Sequence, residues 1–294
     1  MYITSLQFEP AVSREEYFMK LRECLWIWGQ DVMSHQNVSA NKSWKVPDGN
    51  TLDAVAGAEY LGVPNIFRVV MNGKPFPPFD AESEKMKNNP KVIWSALGDA
   101  SSLRNDDTSD VKEVIRQAEK YPNVVGAVFD DFFRRGTAED PRWARYSLEE
   151  VRKIRSLLHT SLSRKLDLWV VWYKKGLVWP VEEYLKEFDG ITYWNMRTAA
   201  ERSSLREDLD KMLVMTPGKK HMTGCYIWNY GEGKALTVEE IDFELEVYRE
   251  YLIKGKTDGI IFCSNCCADV GGAAVDHLRQ WIKNHGDEDV GGVL

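Results

Sequence analysis

Apolar, strand-like runs recur along this chain with helical patterns between them. They fall at Tyr2 to Phe8, Asn65 to Met71, Lys91 to Gly98, Val124 to Asp131, Leu166 to Tyr173, Gly190 to Met196, His221 to Tyr230 and Gly259 to Asn265. Strand and helix in strict alternation is the pattern of a parallel sheet with crossover helices. Eight such runs in 294 residues, with no linker between halves, predict a closed (β/α)8 TIM barrel over an open doubly wound sheet. The reading is one barrel domain over residues 1–285 and a short, acidic, Gly-rich flexible tail over 286–294.

Helix starts are marked by capping boxes, in which a hydroxyl and a Glu three residues later satisfy exposed backbone donors: Ser13 with Glu16, Ser147 with Glu150, Thr237 with Glu240. Behind Thr237, the residues Ile241, Leu245, Tyr248 and Leu252 form one apolar stripe, as do Val151, Ile154 and Leu158 behind Ser147. The stretch "LWIWGQDVMSHQ", Leu25 to Gln36, fits the pattern less well. It reads as the end of a first helix stopping at Gly29, with Asp31 to Gln36 as an extra strand; nine candidates mean either an N-terminal embellishment of the barrel or one run that is not a strand.

A composition of 44% hydrophobic and 28% charged residues is that of a soluble globular protein, and a formal charge of −7 disfavours nucleic acid or an anionic membrane as partner. The N-terminus carries no visible export signal, and five cysteines at low density fit a reducing, cytoplasmic setting. No dinucleotide fingerprint, phosphate loop, H-E-x-x-H or G-x-S-x-G occurs, so no cofactor is predicted. "CSNCC", Cys263 to Cys267, has a Cys-x-x-Cys spacing but no second Cys/His pair to complete a zinc site, so no metal is predicted and packing thiols are the default.

In "VVGAVFDDFF", Val124 to Phe133, an apolar run ends in two carboxylates at the place where barrel enzymes keep their reactive groups. Strand alternation lets only one of them face the axis; Asp131 is taken as the chemical group and Asp130 as its orienting neighbour, with the reverse assignment left open. The plainer alternative pairs them with Arg134 or Arg135. A second candidate acid is Glu232 in "GCYIWNYGEG", which Gly231 and Gly233 would let a sharp loop carry to the mouth. Glu9 and Asp99, each just past a predicted strand, stand in reserve.

Aromatic residues paired with amides or phenols sit late in several runs: Trp172 with Tyr173, Trp194 with Asn195, Trp228 with Asn229 and Tyr230. An aromatic face packs on the C–H face of a sugar ring while a neighbouring polar group bonds its hydroxyls. His35 joins this set if its segment reaches the mouth, and Arg68 or Arg197 can bind an anionic substituent or pair with the acids.

"GAVFDDFF" together with "GCYIWNYGEG" and the late tryptophans resembles the barrel of a glycoside hydrolase-type protein. The resemblance implies a carbohydrate ligand and an acid at the end of the fourth and of the seventh strand. Where the largest such clan has Asn-Glu on the fourth strand, this chain has Asp130-Asp131. Hydrolysis of a glycoside is the leading expectation. A non-catalytic carbohydrate-binding barrel, or a metal-dependent sugar isomerase or epimerase, is the alternative.

Overall fold

The computed structural model describes residues 19–105, 109–195 and 199–291. Eight parallel strands close a barrel in chain order. They are β1 Leu25–Gly29, β2 Asn65–Arg68, β3 Val92–Leu97, β4 Val124–Phe129, β5 Asp167–Tyr173, β6 Gly190–Trp194, β7 Lys220–Tyr226 and β8 Gly259–Cys263. A helix follows each strand, from Ala54–Leu61 after β1 to Ala273–His285 after β8, and the pairing of Leu25–Trp28 with Ile260–Cys263 shuts the ring.

The first strand differs from the sequence reading. Leu25–Gly29 is β1, buried along its whole length and paired on both sides, instead of a helix end followed by an extra strand. Short apolar runs carry no period that separates helix from strand. Gly29 does not stop a helix: a Cβ there would lie 2.6 Å from the Cβ of Ala54, so it lets the first barrel helix approach the sheet. Asp31 to Gln36 forms turns, not a strand. The run Tyr2 to Phe8, the capping pair Ser13–Glu16, Glu9 and Arg197 lie outside the described residues.

Both other capping boxes form, at Ser147 with Glu150 and at Thr237 with Glu240. The stripe Ile241, Leu245, Tyr248 and Leu252 is buried. The segment read as a flexible tail is held over its first part: Asp289–Val290 pairs antiparallel with Met19–Lys20, and Lys20 Nζ meets Asp289 Oδ1 at 2.6 Å. No helix among the described residues is long and apolar enough to cross a membrane.

Large rings fill the barrel interior. Trp26 and Trp28 of β1 pack on Phe67 of β2 with centroids 5.0 and 5.6 Å apart, and Trp28 meets Trp194 of β6 at 5.1 Å. The room comes from glycines on adjacent strands. A Cβ on Gly190 would stand 2.2 Å from the Trp169 ring, and one on Gly224 would stand 2.0 Å from the Trp194 ring. Neither gap admits a methyl group without moving an indole inside a closed ring of strands. We therefore expect Gly224→Ala to cost about 1–3 kcal/mol or more in urea unfolding, with an altered near-ultraviolet circular dichroism signal from the displaced indoles. An unchanged midpoint would mean that the interior has slack.

Candidate active site

Side chains alternate along a strand, so one parity of each barrel strand points to the axis. On β5, Trp169, Val171 and Tyr173 share the inward parity; Val171 and Tyr173 line a cavity of 280 Å³ at the C-terminal mouth. Trp172 has the other parity. It is fully buried in the helix layer, where a Cβ on Gly176 would fall 2.6 Å from its Nε1, and it does not line the cavity. The same rule separates Trp194, which lines the cavity, from Asn195, which is buried away from it.

The expectation that only one of the paired aspartates could face the axis does not hold. Both Asp130 and Asp131 line the cavity. β4 ends at Phe129, and Asp131 has φ of 42°, in the left-handed region that non-glycine residues rarely occupy, so the alternation is broken just where the acids lie. The Asp131 N–H donates to Asp130 Oδ1 at 2.8 Å. Asp131 Oδ2 accepts from the Ala100 N–H at 3.0 Å and Oδ1 from the Tyr173 hydroxyl at 2.8 Å. The plainer pairing with arginine is not what forms: Arg134 is tied to Asp140 instead.

Asp130 is 5% exposed. Burial holds its carboxyl well above the usual carboxylate range, and the charges of Asp131 and Asp99 push the same way against the Asp131 N–H and the Arg145 guanidinium. Asp99 also lines the cavity and accepts hydrogen bonds from the Asn72 N–H at 2.9 Å and from the Ser101 and Ser102 hydroxyls. Burial, reinforced by Asp131, likewise raises the Tyr173 phenol, so it stays a donor to Asp131.

Opposite the acids stands an aromatic wall. Trp28, Trp194, Tyr226 and Tyr230 line the cavity, with Trp194 to Tyr226 at 5.1 Å and Tyr226 to Tyr230 at 5.2 Å. His35 reaches the cavity from a turn, and the Tyr230 hydroxyl lies 2.8 Å from its Nδ1. Burial drives its pKa down to about 3, so this imidazole is a neutral hydrogen-bonding group.

Trp228, Asn229 and Glu232 lie outside the cavity. Trp228 donates from Nε1 to the Trp44 carbonyl at 2.8 Å, and Asn229 Oδ1 accepts from the Glu232 N–H at 2.9 Å, closing the 229–234 turn. That turn packs Gly233 against the Asn41–Trp44 segment, where a Cβ would meet the Ser43 carbonyl at 2.4 Å. Glu232 is thereby left on the surface, paired with Lys234 at 2.6 Å. Arg68 is buried and bound by Asp31 and Glu82, with Glu82 Oε2 at 2.9 Å, rather than presented to a ligand.

Sequence reasoning missed Trp28, Gln30, Trp44, Met71, Lys175, Tyr226 and Cys263, all of which line the cavity. Reading "LWIWG" as a strand would have aimed Trp28 inward. Trp44, the single aromatic residue in the polar stretch 37–50, was a signal of another kind. Cys263 lines the cavity, while Cys266 and Cys267 are buried behind it, Cys267 Sγ lying 3.0 Å from the Tyr230 hydroxyl. No group of three or more His, Cys, Asp or Glu side chains among the described residues is arranged to hold a metal ion.

A cavity of 330 Å³ opens at the opposite end of the barrel, among the strand starts. There Lys220 pairs with Asp167 at 2.6 Å. Asp99, Asp130 and Asp131 gather at the mouth.

No family model matches the sequence, and a search of curated proteins gives no match. Solved structures do match. A proposed alpha-L-fucosidase from Bacteroides thetaiotaomicron is 13% identical, covers 95% of this chain and 99% of its own, and superposes with a TM-score of 0.56. A xylanase-alpha-amylase inhibitor protein, solved with trehalose, is 12% identical over 89% of this chain and 98% of its own, with a TM-score of 0.54. What is shared is the TIM-barrel fold. At such identity, function has to be argued from the site.

Because burial raises the Asp130 pKa in the folded protein above its ordinary unfolded value near 4, the sign of its pH linkage follows. Below about pH 4 it is protonated in both states and its favourable contribution is fully present. As pH rises toward the raised folded value, the unfolded chain ionises first and that contribution is lost. Asp130→Asn, which keeps the acceptor for the Asp131 N–H, should therefore melt above the wild type at pH 7, with the gap shrinking toward pH 4. A gap that widens on acidification, in thermal unfolding at constant ionic strength, would show that Asp130 is ionised in the native state.

Proposed function

We propose that this protein is a carbohydrate-active barrel that cleaves a glycosidic bond in the mouth cavity. The observation that carries the reading is the adjacent acid pair, set on one cavity in environments that separate the two roles. Asp130 is buried, which raises its carboxyl pKa and suits it to hold a proton; Asp131 accepts two hydrogen bonds that suit a carboxylate. Asp130 would give its proton to the leaving oxygen as the bond to the anomeric carbon lengthens. Asp131, oriented by Tyr173 and Ala100, would stabilise the positive charge that grows on the ring. The indole and phenol faces opposite offer a surface for the ring's C–H groups. Glu232, on the surface and paired with Lys234, takes no part.

One observation favours a second reading, a sugar-binding barrel without catalysis. All acids of the cavity, Asp99, Asp130 and Asp131, come from the ends of β3 and β4, and the β7 and β8 side supplies Tyr226, Tyr230 and Cys263. Two carboxylates flanking a bond from opposite faces are the usual hydrolytic device.

Product release from a broad panel of glycosides, oligosaccharides and polysaccharides separates the readings. Wild type should release sugar, Asp130→Asn and Asp131→Asn should each be slower by about 10²–10⁴-fold, and Glu232→Gln should be unchanged. Binding by calorimetry without release would favour the second reading. Neither binding nor release would remove carbohydrate from the account.

A further inference from the structure

Gln30 directly follows β1, lines the mouth cavity and is 3% exposed. A buried glutamine costs free energy unless its polar groups are met. Three of the four are. Its N–H donates to Asn265 Oδ1 at 2.8 Å, and its carbonyl accepts from Asn265 Nδ2 at 3.1 Å. Its side-chain Oε1 lies 3.6 Å from Cys266 Sγ, with the thiol as donor.

The residues that hold it are themselves fixed. Asn265 Nδ2 donates also to the Leu52 carbonyl at 2.7 Å, and the Asn265 carbonyl accepts from Asn50 Nδ2 at 2.9 Å. Asn50 donates in turn to Asp269 Oδ1 at 2.8 Å and accepts from the Met33 N–H at 2.9 Å. A buried network paired at these atoms rigidifies what it holds. Here it clamps the segment after β1 to the segment after β8.

Cys266 is buried behind the cavity. An amide that turns Oε1 back toward it turns Nε2 the other way, toward the cavity that Gln30 lines. That nitrogen is a donor only. A ligand oxygen set against it satisfies a fixed, buried donor, whereas a ligand lacking that oxygen leaves the donor unpaired, which is how a polar group discriminates.

Its surroundings say which kind of oxygen fits. In the ring β1 stands opposite β5, so Gln30 lies across the mouth from Tyr173, the partner of Asp131. His35, Cys263 and Tyr230 line the cavity on the side of Gln30. They are uncharged: burial leaves the imidazole neutral and holds the thiol and the phenol above their ordinary pKa values. A neutral donor among neutral groups suits a sugar hydroxyl; a carboxylate or sulfate calls for a cation.

We propose that Gln30 is a specificity-determining residue of the cavity, with Nε2 donating to one ring hydroxyl of a neutral sugar, and that Asn265 and Cys266 are its positioning residues. The proposal rests on the carbohydrate reading above. Gln30 moves no proton; it selects the ring that is presented to the acids.

The test uses the full chain with methyl glycosides of neutral hexoses and pentoses and, for each that binds, its singly deoxygenated derivatives. Calorimetry compares wild type with Gln30→Leu. Expected is one ring position at which loss of the hydroxyl weakens wild-type binding about tenfold or more and Gln30→Leu binding less than about twofold. The other positions should cost both proteins alike. Where a glycoside is cleaved, kcat/KM for the matching 4-nitrophenyl glycosides should show the same pattern.

Equal losses in both proteins at every position would make Gln30 structural and overturn the proposal while the carbohydrate reading stands. Binding confined to uronic or sulfated sugars would do the same. Neither binding nor release with any sugar would sink both together. Should Gln30→Leu not fold, Gln30→Glu keeps the shape and the acceptor for Cys266 and should lose the same discrimination. Should neither fold, a wild type indifferent to every deoxygenation overturns the proposal, and one sensitive position upholds it.

Discussion

The fit of indole rings against bare backbone inside the barrel is the constraint on which the rest depends. Trp169 and Trp194 occupy space that any side chain on Gly190 or Gly224 would deny them. Trp194 is further set by its Nε1, which donates to Thr192 Oγ1 at 2.9 Å. From that position it meets Trp28 on one side and Tyr226 on the other, so the floor of the mouth cavity is the upper surface of the core. A packed aromatic floor gives the acids above it a low-polarity setting, in which their interactions are stronger than in water.

The acids depend on a local departure from strand geometry. Had β4 continued through Asp131, one carboxylate would have faced the helices. The left-handed backbone at Asp131 turns both toward the cavity and lets the N–H of one bond the carboxyl of the other. Such a conformation costs of order 1–3 kcal/mol and persists where its surroundings over-determine it. Here those surroundings are the Ala100 N–H and the Tyr173 hydroxyl, from the ends of neighbouring strands β3 and β5.

Around this floor the loops divide the labour. The 229–234 turn, which on sequence promised an acid, instead braces the long loop after β1: Trp228 bonds the Trp44 carbonyl and Gly233 packs on Ser43. Tyr230, the next aromatic in the same motif, is the residue that reaches the cavity and holds His35. A Gly-Glu-Gly loop is flexible enough to go either way, and packing against a partner loop selects one.

By itself the sequence determined the alternation of strands and helices from Asn65 onward, the helix starts at Ser147 and Thr237, and the two carboxylates that follow β4. These follow from short-range rules: apolar periodicity, capping hydroxyls, and the cost of ending a buried strand in two carboxylates. It also placed Tyr173, Trp194, Tyr230, His35 and Asp99 near the mouth, where all five line the cavity. Only the tertiary structure decided that "LWIWG" is a strand, because a short apolar run takes its conformation from the strands that pair with it. Only it decided that Trp172, Asn195, Trp228 and Asn229 serve packing and loop closure, since that turns on strand parity and on where each strand stops. The raised pKa of Asp130 is of the same kind: it arises from buried surroundings, with Asp131 and Asp99 beside it, brought together by closure of the ring, which no stretch of chain contains alone.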